Sequence, residues 1–335
     1  MQDLKETRSP GPTKESRKDF DRVLYTKEWA ETFNITRWHP YAKELHSYYY
    51  RPHPKVDSPQ TCNDFPPISL CNVTNKILSK LLSRKISQVI PDLISPSQSD
   101  FVPGRLISDN ILMAQEMIHH MDLRYKNNNL IIKLNMSKAY DKVSWAFLFT
   151  VMQKMRFPPK FIPLIKHVVQ NYWFTVMVNG EAAGFFKSTQ GLRQGDPISP
   201  AIFILAAEAF SKGMDFLYNA HPDMFYQIKC AVKPTHLSYA DDVIIFTNCK
   251  EVGLIRLMQF LRRFEDMSGH KINYAKSAFI PGKKTSLIAQ RIKTITGFTM
   301  KALPITYLDA PLYKGNKRKS LYVDLIDKIR AKIAG

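Results

Sequence analysis

The apolar positions recur with helical spacing over several stretches of the chain. Asn75 to Val89 puts Ile77, Leu78, Leu81, Leu82 and Ile86 on one face, which predicts an amphipathic helix. Ile107 to Met121 predicts a second helix, with Ser108 or Asp109 as its cap and Met113, Met117 and Met121 facing the core. Trp145 to Met155 and Phe161 to Gln170 predict two more, separated by Pro158-Pro159. Ala201 to Leu217 and Glu251 to Met267 complete the set, the latter stopped by Gly269, and Leu321 to Ile333 predicts a final amphipathic helix. Short apolar runs read as strands at Leu130 to Leu134, at Ser277 to Ile280, and on either side of Asp241-Asp242 between His236 and Thr247. Phe174 to Val178, Asn179-Gly180 and a run ending at Lys187 read as a hairpin. Met1 to Lys18 has the polar composition of a disordered segment, and Asp19 to Tyr50 gives no clear period. The pattern is α+β: a small, largely antiparallel sheet covered by helices, with acidic residues at strand ends.

Composition adds a partner class. Across 335 residues, 48 Lys and Arg stand against 29 Asp and Glu, a net charge of +19. That excess favours a polyanion, nucleic acid ahead of an anionic membrane or an acidic protein. Four cysteines without metal spacing point to a reducing compartment rather than a disulfide scaffold. The start of the chain lacks the apolar stretch of a signal peptide, and no apolar run approaches the length of a membrane span.

The candidate chemistry centres on Tyr239-Ala240-Asp241-Asp242. Two adjacent carboxylates at a hairpin tip repel unless something neutralises them, and hard cations such as Mg²⁺ take oxygen ligands of this kind. An isolated Asp-Asp turn is more often a solvated turn. Three further segments change the weight: Leu130 to Asp141, a strand running into a polar turn; Gly191 to Pro200, a loop bounded by glycine that opens a helix; and Gly269 to Ser277, which presents Lys276.

In this order the segments resemble a reverse transcriptase of the LINE type, from non-LTR retrotransposons, and the wording is similar to plant copies. The likeness also takes in Pro54 to Pro59, Pro67 to Asn72, Phe101 to Asn110 and Tyr307 to Gly315, about five-sixths of the chain. Group II intron maturases and telomerase share the palm chemistry, but the 191–200 and 307–315 segments fit LINE elements better. The resemblance implies a right-hand polymerase: an unassigned segment at 1–51, fingers at 52–129, a palm at 130–282, and a primer-grip region with a truncated thumb start at 283–335. It implies RNA-directed DNA synthesis from dNTPs on an RNA template and a DNA primer, with two Mg²⁺ or Mn²⁺ ions and no membrane. It assigns Asp241 and Asp242 as metal ligands and Tyr140 as the residue under the sugar. Gln194 and Gly195 would line the template and the incoming nucleotide, Lys55 the triphosphate, and Arg105 the template. Lys276 would help protonate pyrophosphate, and Tyr307 and Leu308 belong to the primer grip.

Three departures stand at functional positions. Asn135 occupies the place of the family's catalytic Asp, and an amide is a poorer Mg²⁺ ligand than a carboxylate. Pro66 replaces an arginine that faces the triphosphate. Asp309 replaces a glycine, which strains a tight turn. Neither an endonuclease nor a ribonuclease H segment is recognisable. The expectation is a partial, degenerate copy whose fold persists and whose catalysis is impaired, or a relict that only binds nucleic acid. Asn135→Asp is expected to recover little, because Pro66 remains.

Overall fold

The computed structural model describes residues 47–52, 67–70, 73–121, 128–171, 173–178, 181–228, 233–282, 286–316 and 318–334. Lys55, Pro66 and the segment before Ser47 lie outside the described residues. In chain order the elements are strands β1 (Ser47–Pro52) and β2 (Pro67–Leu70), then helices α1 (Val73–Ser87), α2 (Ile90–Leu93) and α3 (Ile107–His119). Strand β3 (Asn129–Asn135) leads to helices α4 (Ala139–Lys142), α5 (Trp145–Lys154) and α6 (Phe161–Gln170), and to strands β4 (Trp173–Val178) and β5 (Glu181–Lys187). Helix α7 (Ser199–Ala220) precedes strands β6 (His236–Tyr239) and β7 (Asp242–Asn248), helix α8 (Glu251–Ser268) and strand β8 (Ala278–Pro281). Helix α9 (Ser286–Thr296), strands β9 (Thr299–Met300), β10 (Ile305–Tyr307) and β11 (Ala310–Leu312), and helix α10 (Val323–Ala334) follow.

Two compact units interleave along the chain. The first takes the described residues up to Leu93, then Phe149–Thr189 and Arg193–Ala201; the second takes Ile94–Leu148, Gln190–Leu192 and the described residues from Ile202.

In the first unit, four strands run in the order β2-β1-β4-β5. Strand β1 is antiparallel to β2 and parallel to β4, so the run Tyr48-Tyr49-Tyr50, which shows no period of its own, is a central strand. Helix α1 buries Asn75, Ser79, Leu82 and Ile86, while Ile77 is exposed. The buried line is therefore rotated from the one expected, because Asn75 and Ser79 take inward places. Phe157 stacks on Phe161 at 5.8 Å, and α6 buries Ile165, Val168 and Val169.

In the second unit, five strands run in the order β6-β7-β3-β8-β9, antiparallel except for β8 with β9. Side chains alternate across the sheet, so the partners Ile131, Ile280 and Phe246 share a face. They pack with Leu237 and Ile244 against Ala114, Met117 and Ile118 of α3 and against Ile305, Tyr307 and Leu312 of the β10–β11 hairpin. The opposite face meets α7, where His236 approaches Ser211 at 3.0 Å and Phe210 at 5.5 Å, and Phe264 of α8 packs on Phe210 at 5.2 Å. Each such fully buried side chain contributes about 1.5–3 kcal/mol. Met117 and Met121 are core residues as expected, but Met113 is exposed. The cap of α3 is Leu106 rather than Ser108 or Asp109; Asp109 acts from inside the first turn, where its carboxylate accepts from the Leu106 N–H at 3.2 Å.

Candidate active site

The β6–β7 hairpin closes on the Tyr239–Asp242 pair, leaving Ala240 and Asp241 at the tip. Ala240 takes a φ of 50°, a left-handed conformation that costs roughly 1–2 kcal/mol. Along the neighbouring strand, Asn135 lies directly opposite Asp242. Tyr239, Asp242 and Asn135 thus form one row across the sheet, on the face that carries α3 and the β10–β11 hairpin. Burial, and after it the neighbouring Asp242, pushes the Asp241 carboxyl up from its ordinary range. Two acids that crowd each other in this way favour a cation between them.

Tyr140 sits on the one-turn helix α4, and two glycines lock that turn. Gly191 has a φ of 86°, and a Cβ there would fall 2.6 Å from the Asp141 carbonyl oxygen. Gly269, also left-handed, packs against the Lys142 carbonyl too closely for any side chain. The Leu192 N–H donates to the Tyr140 carbonyl at 2.7 Å, and the Trp145 indole N–H donates to the Gly191 carbonyl at 2.7 Å. The Tyr140 ring stacks on Phe203 at 4.6 Å. Burial, then the Asp100 and Asp241 carboxylates, hold its phenol above the ordinary value, so the hydroxyl stays protonated.

Lys276 is exposed on the connection into β8. Asn273 ties this connection to β3, its N–H donating to the Asn135 carbonyl at 2.8 Å, and its side chain accepts from the Lys276 N–H at 3.1 Å. Lys276 lines a cavity with Lys133, Lys301, Ile305 and Thr306. The β10–β11 hairpin holds Tyr307 in the core, fully buried, with its hydroxyl beside Asn110 and Asp242. Of the expected primer-grip pair, only Leu308 reaches the turn. Leu308 and Asp309 both take positive φ, 50° and 62°, the mirror-image turn that glycine and asparagine favour. Asp309 pairs with Lys328 at 2.6 Å, and that ammonium draws its carboxyl below the ordinary range.

In the first unit, Gln194 and Gly195 are presented by a pinned loop. Arg193 and Asp196 flank them, both buried and paired at 2.5 Å. The Asp196 carboxylate also accepts from the Ser79 hydroxyl, and Arg193 donates to the Val168 carbonyl at 2.9 Å. Gly195 is exposed with a φ of 92°.

Arg105 is anchored by its own loop. Its guanidinium donates to the carbonyls of Ile94, at 2.8 Å, Ser95, at 2.6 Å, and Gln98. The fork is spent on backbone acceptors that would otherwise lie unsatisfied, so this residue holds the 94–98 segment. Sequence reasoning also missed Asp100, which accepts a hydrogen bond from the Tyr239 hydroxyl and adjoins Asp241. No local signal marks it, because its place follows from a bridge between Gln98 and Ser238.

Mg²⁺ is commonly held by one or two carboxylates together with substrate phosphates. Asp241, Asp242 and the Asn135 amide fit that mode. Among the described residues no three His, Cys, Asp or Glu side chains form a metal-holding group. None of the described helices is long and apolar enough to cross a membrane.

A largely antiparallel sheet with an acidic hairpin tip, covered by helices and flanked by a half-buried tyrosine stacked on Phe203, is the arrangement of a polymerase palm. The family model described as reverse transcriptase (RNA-dependent DNA polymerase) matches residues 53–309. The transposon TX1 149 kDa protein of Xenopus laevis is 28% identical over 229 residues, 67% of this chain and 17% of that protein. The Pol polyprotein of the type-2 retrotransposable element R2DM of Drosophila melanogaster is 25% identical over 231 residues, 69% of this chain and 21% of that protein. The chain spans about a fifth of the length of these relatives. A telomerase from Candida tropicalis, solved with a TWJ fragment of telomeric RNA, shares the fold with a TM-score of 0.57 at 15% identity, over 85% of this chain and 47% of that one. The chain belongs to the reverse transcriptase family, in its LINE-type, non-LTR branch. That family implies dependence on a divalent metal.

Proposed function

We propose that the chain binds an RNA template with a DNA primer and transfers nucleotides from dNTPs to the primer 3′ hydroxyl, at a rate held low by Asn135. The observation that carries this reading is the register of β3 with β7, which sets a neutral amide opposite Asp242. A bound Mg²⁺ or Mn²⁺ would supply positive charge to the triphosphate and acidify the attacking hydroxyl. Asp241 and Asp242 would hold it, with the Asn135 carbonyl oxygen as a weak third donor. A pair of ions, as in an intact family member, is disfavoured by the missing charge.

The remaining roles are those the family likeness implies. Tyr140, wedged on Phe203, sets the floor on which a deoxyribose rests and crowds a ribose 2′ hydroxyl. Gln194 and Gly195 are the residues that the family likeness assigns to template and nucleotide. Lys276 offers a proton to departing pyrophosphate, Leu308 meets the primer strand, and Lys55 contacts the triphosphate. The net charge of +19 supports phosphate contacts along the nucleic acid.

The test is extension of a labelled DNA primer annealed to RNA, in Mg²⁺ and then in Mn²⁺, beside retention of the same duplex on a filter at rising salt. The expected result is salt-sensitive retention with slow extension that Asp242→Asn abolishes. Retention without any Asp242-dependent extension selects a relict that only binds nucleic acid. Loss of both overturns the proposal.

A further inference from the structure

On the sheet face that carries the β10–β11 hairpin, a cavity of about 380 Å³ opens between strands β3 and β8 and the hairpin. Ile280 of β8 and Ile305 of the hairpin give it apolar walls. Three lysines, Lys133, Lys276 and Lys301, line it, and no Asp or Glu is among its lining residues.

The strand register explains why the lysines meet. Lys133 of β3 is paired with Ala278 of β8, and Ala278 with Thr299 of β9. Paired residues on neighbouring strands point to the same face. Ala278 is small, so the middle strand leaves the space above it open. Two residues past Thr299, the Lys301 N–H donates to the Phe279 carbonyl at 2.9 Å, which keeps the chain against β8. Strands β3 and β9 are two spacings apart, about 10 Å, and long side chains cross such a gap from both sides. The Lys133 ammonium is fixed by donating to the Thr306 carbonyl at 2.9 Å. Lys276 and Lys301 are exposed, and no ion pair among the described residues engages any of the three.

Ammonium groups that share a cavity repel one another, and apolar walls strengthen the repulsion. A polyvalent anion between them turns it into attraction. Phosphate suits such a set, because its oxygens accept charge-assisted hydrogen bonds from several donors at once.

We propose that Lys133, Lys276 and Lys301 form a phosphate-binding site, filled by a phosphate of a nucleic-acid strand or by free pyrophosphate. The family likeness names Lys276 alone, as a proton donor; Lys133 and Lys301 join it in holding the anion. Lys133 precedes Asn135 by two residues on the same face of β3, about 7 Å along the strand. The bound phosphate therefore sits beside the candidate cation site and outside it. The lysines hold their anion whether or not Asp241 and Asp242 hold a metal.

The test is equilibrium dialysis of radiolabelled inorganic pyrophosphate against the chain, in metal-free buffer at low ionic strength. The unmodified chain is expected to bind it, with an affinity that falls as NaCl rises. Lys301→Met, which removes one exposed charge, is expected to weaken binding about tenfold. Lys133→Met is expected to weaken it as much. Lys133→Arg, which keeps the charge and a donor for Thr306, is expected to stay within about threefold of the parent. Lys293→Met, on α9 and outside the cavity, is expected to leave binding unchanged. A single-stranded oligodeoxynucleotide measured in parallel separates the two sources. If Lys301→Met weakens its retention as well, the cavity takes a strand phosphate; if retention is unchanged while pyrophosphate is lost, it takes the free anion. Equal binding of both probes by the parent, Lys133→Met and Lys301→Met overturns the proposal. So does a loss in Lys293→Met as large as in Lys301→Met, which marks a general effect of surface charge. Because no divalent cation is present, either failure leaves the cation site and the proposed polymerase activity standing.

Discussion

The two ends of the β3–β7 ladder carry the same kinds of side chain and use them in opposite ways. At one end Asn129 faces Asn248; at the other Asn135 faces Asp242. Asn129 donates to the Gln227 carbonyl at 2.9 Å and accepts the Gln227 N–H at 2.8 Å. Asn248 donates to the carbonyls of Asp223, at 2.7 Å, and Phe225, at 3.1 Å, and accepts the Lys250 N–H at 3.0 Å. Both are buried at 1% exposure. At the opposite end, the Asn135 amide makes no side-chain hydrogen bond among the described residues, and the acids beside it are half-buried and crowded. These two asparagines are saturated, since leaving one unpaired in the interior costs about 1–3 kcal/mol. Groups left open at a sheet edge wait for something outside the chain.

The largest expected effect separates the two ends by function. Asp242→Asn should lower nucleotide incorporation about a thousandfold, on the order of the several kcal/mol that a bound cation supplies, with the melting temperature unchanged or higher. Next, Asn248→Ala should lower stability by about 3 kcal/mol in urea titration, because it strips partners from buried carbonyls and an N–H. By contrast, Asn135→Ala should stay within about 0.5 kcal/mol of the parent in the same titration. Equal losses at Asn248 and Asn135 would erase the distinction.

Asp241 sharpens it further. Burial and Asp242 raise its folded carboxyl above the unfolded value of about 3.9. The folded chain then binds more protons, so this group favours folding below that value and the benefit is lost as pH rises through the folded pKa. In cation-free buffer, Asp241→Asn should melt higher than the parent at neutral pH, and the gap should close on acidification toward pH 4. A parent that gains stability from the Asp241 carboxylate at neutral pH would contradict this.

The smallest effect concerns the β10–β11 turn. Asp309→Gly should relieve the left-handed strain, a gain of about 1 kcal/mol, against a loss of about 0.5 kcal/mol from the exposed pair with Lys328. A slightly higher melting temperature checks it. Destabilisation would show that the ion pair outweighs the turn.

The sequence was legible where structure is local. The run 161–170 is a helix over those residues, and the strands about Asp241 follow their alternation. The strain expected at Asp309 appears as its φ of 62°. Elements fixed by distant partners were not legible. Strand β1 exists through pairs with 67–70 and 173–176, and its three tyrosines show no alternation. Helix α9 buries only Ile292 and Thr296, too few to print a period. Within the site, the motif residues Asp241, Asp242, Asn135 and Tyr140 stood out by their segments. Asp100 did not, because its meaning comes from Ser238 and Tyr239 across a tertiary bridge. Arg105 was assigned to the template by the likeness of its segment, and its bonds to the carbonyls of Ile94, Ser95 and Gln98 have no local signal in the sequence.

The central claim is that the Asn135 end of the ladder is a cation site short of one ligating carboxylate. Single-turnover extension of a DNA primer on RNA by the unmodified chain in Mg²⁺ tests it most directly, with Asp242→Asn run in parallel. Slow, incomplete addition that vanishes in Asp242→Asn is the predicted result. Rapid, complete extension by the unmodified chain, or addition that survives Asp242→Asn, would contradict it.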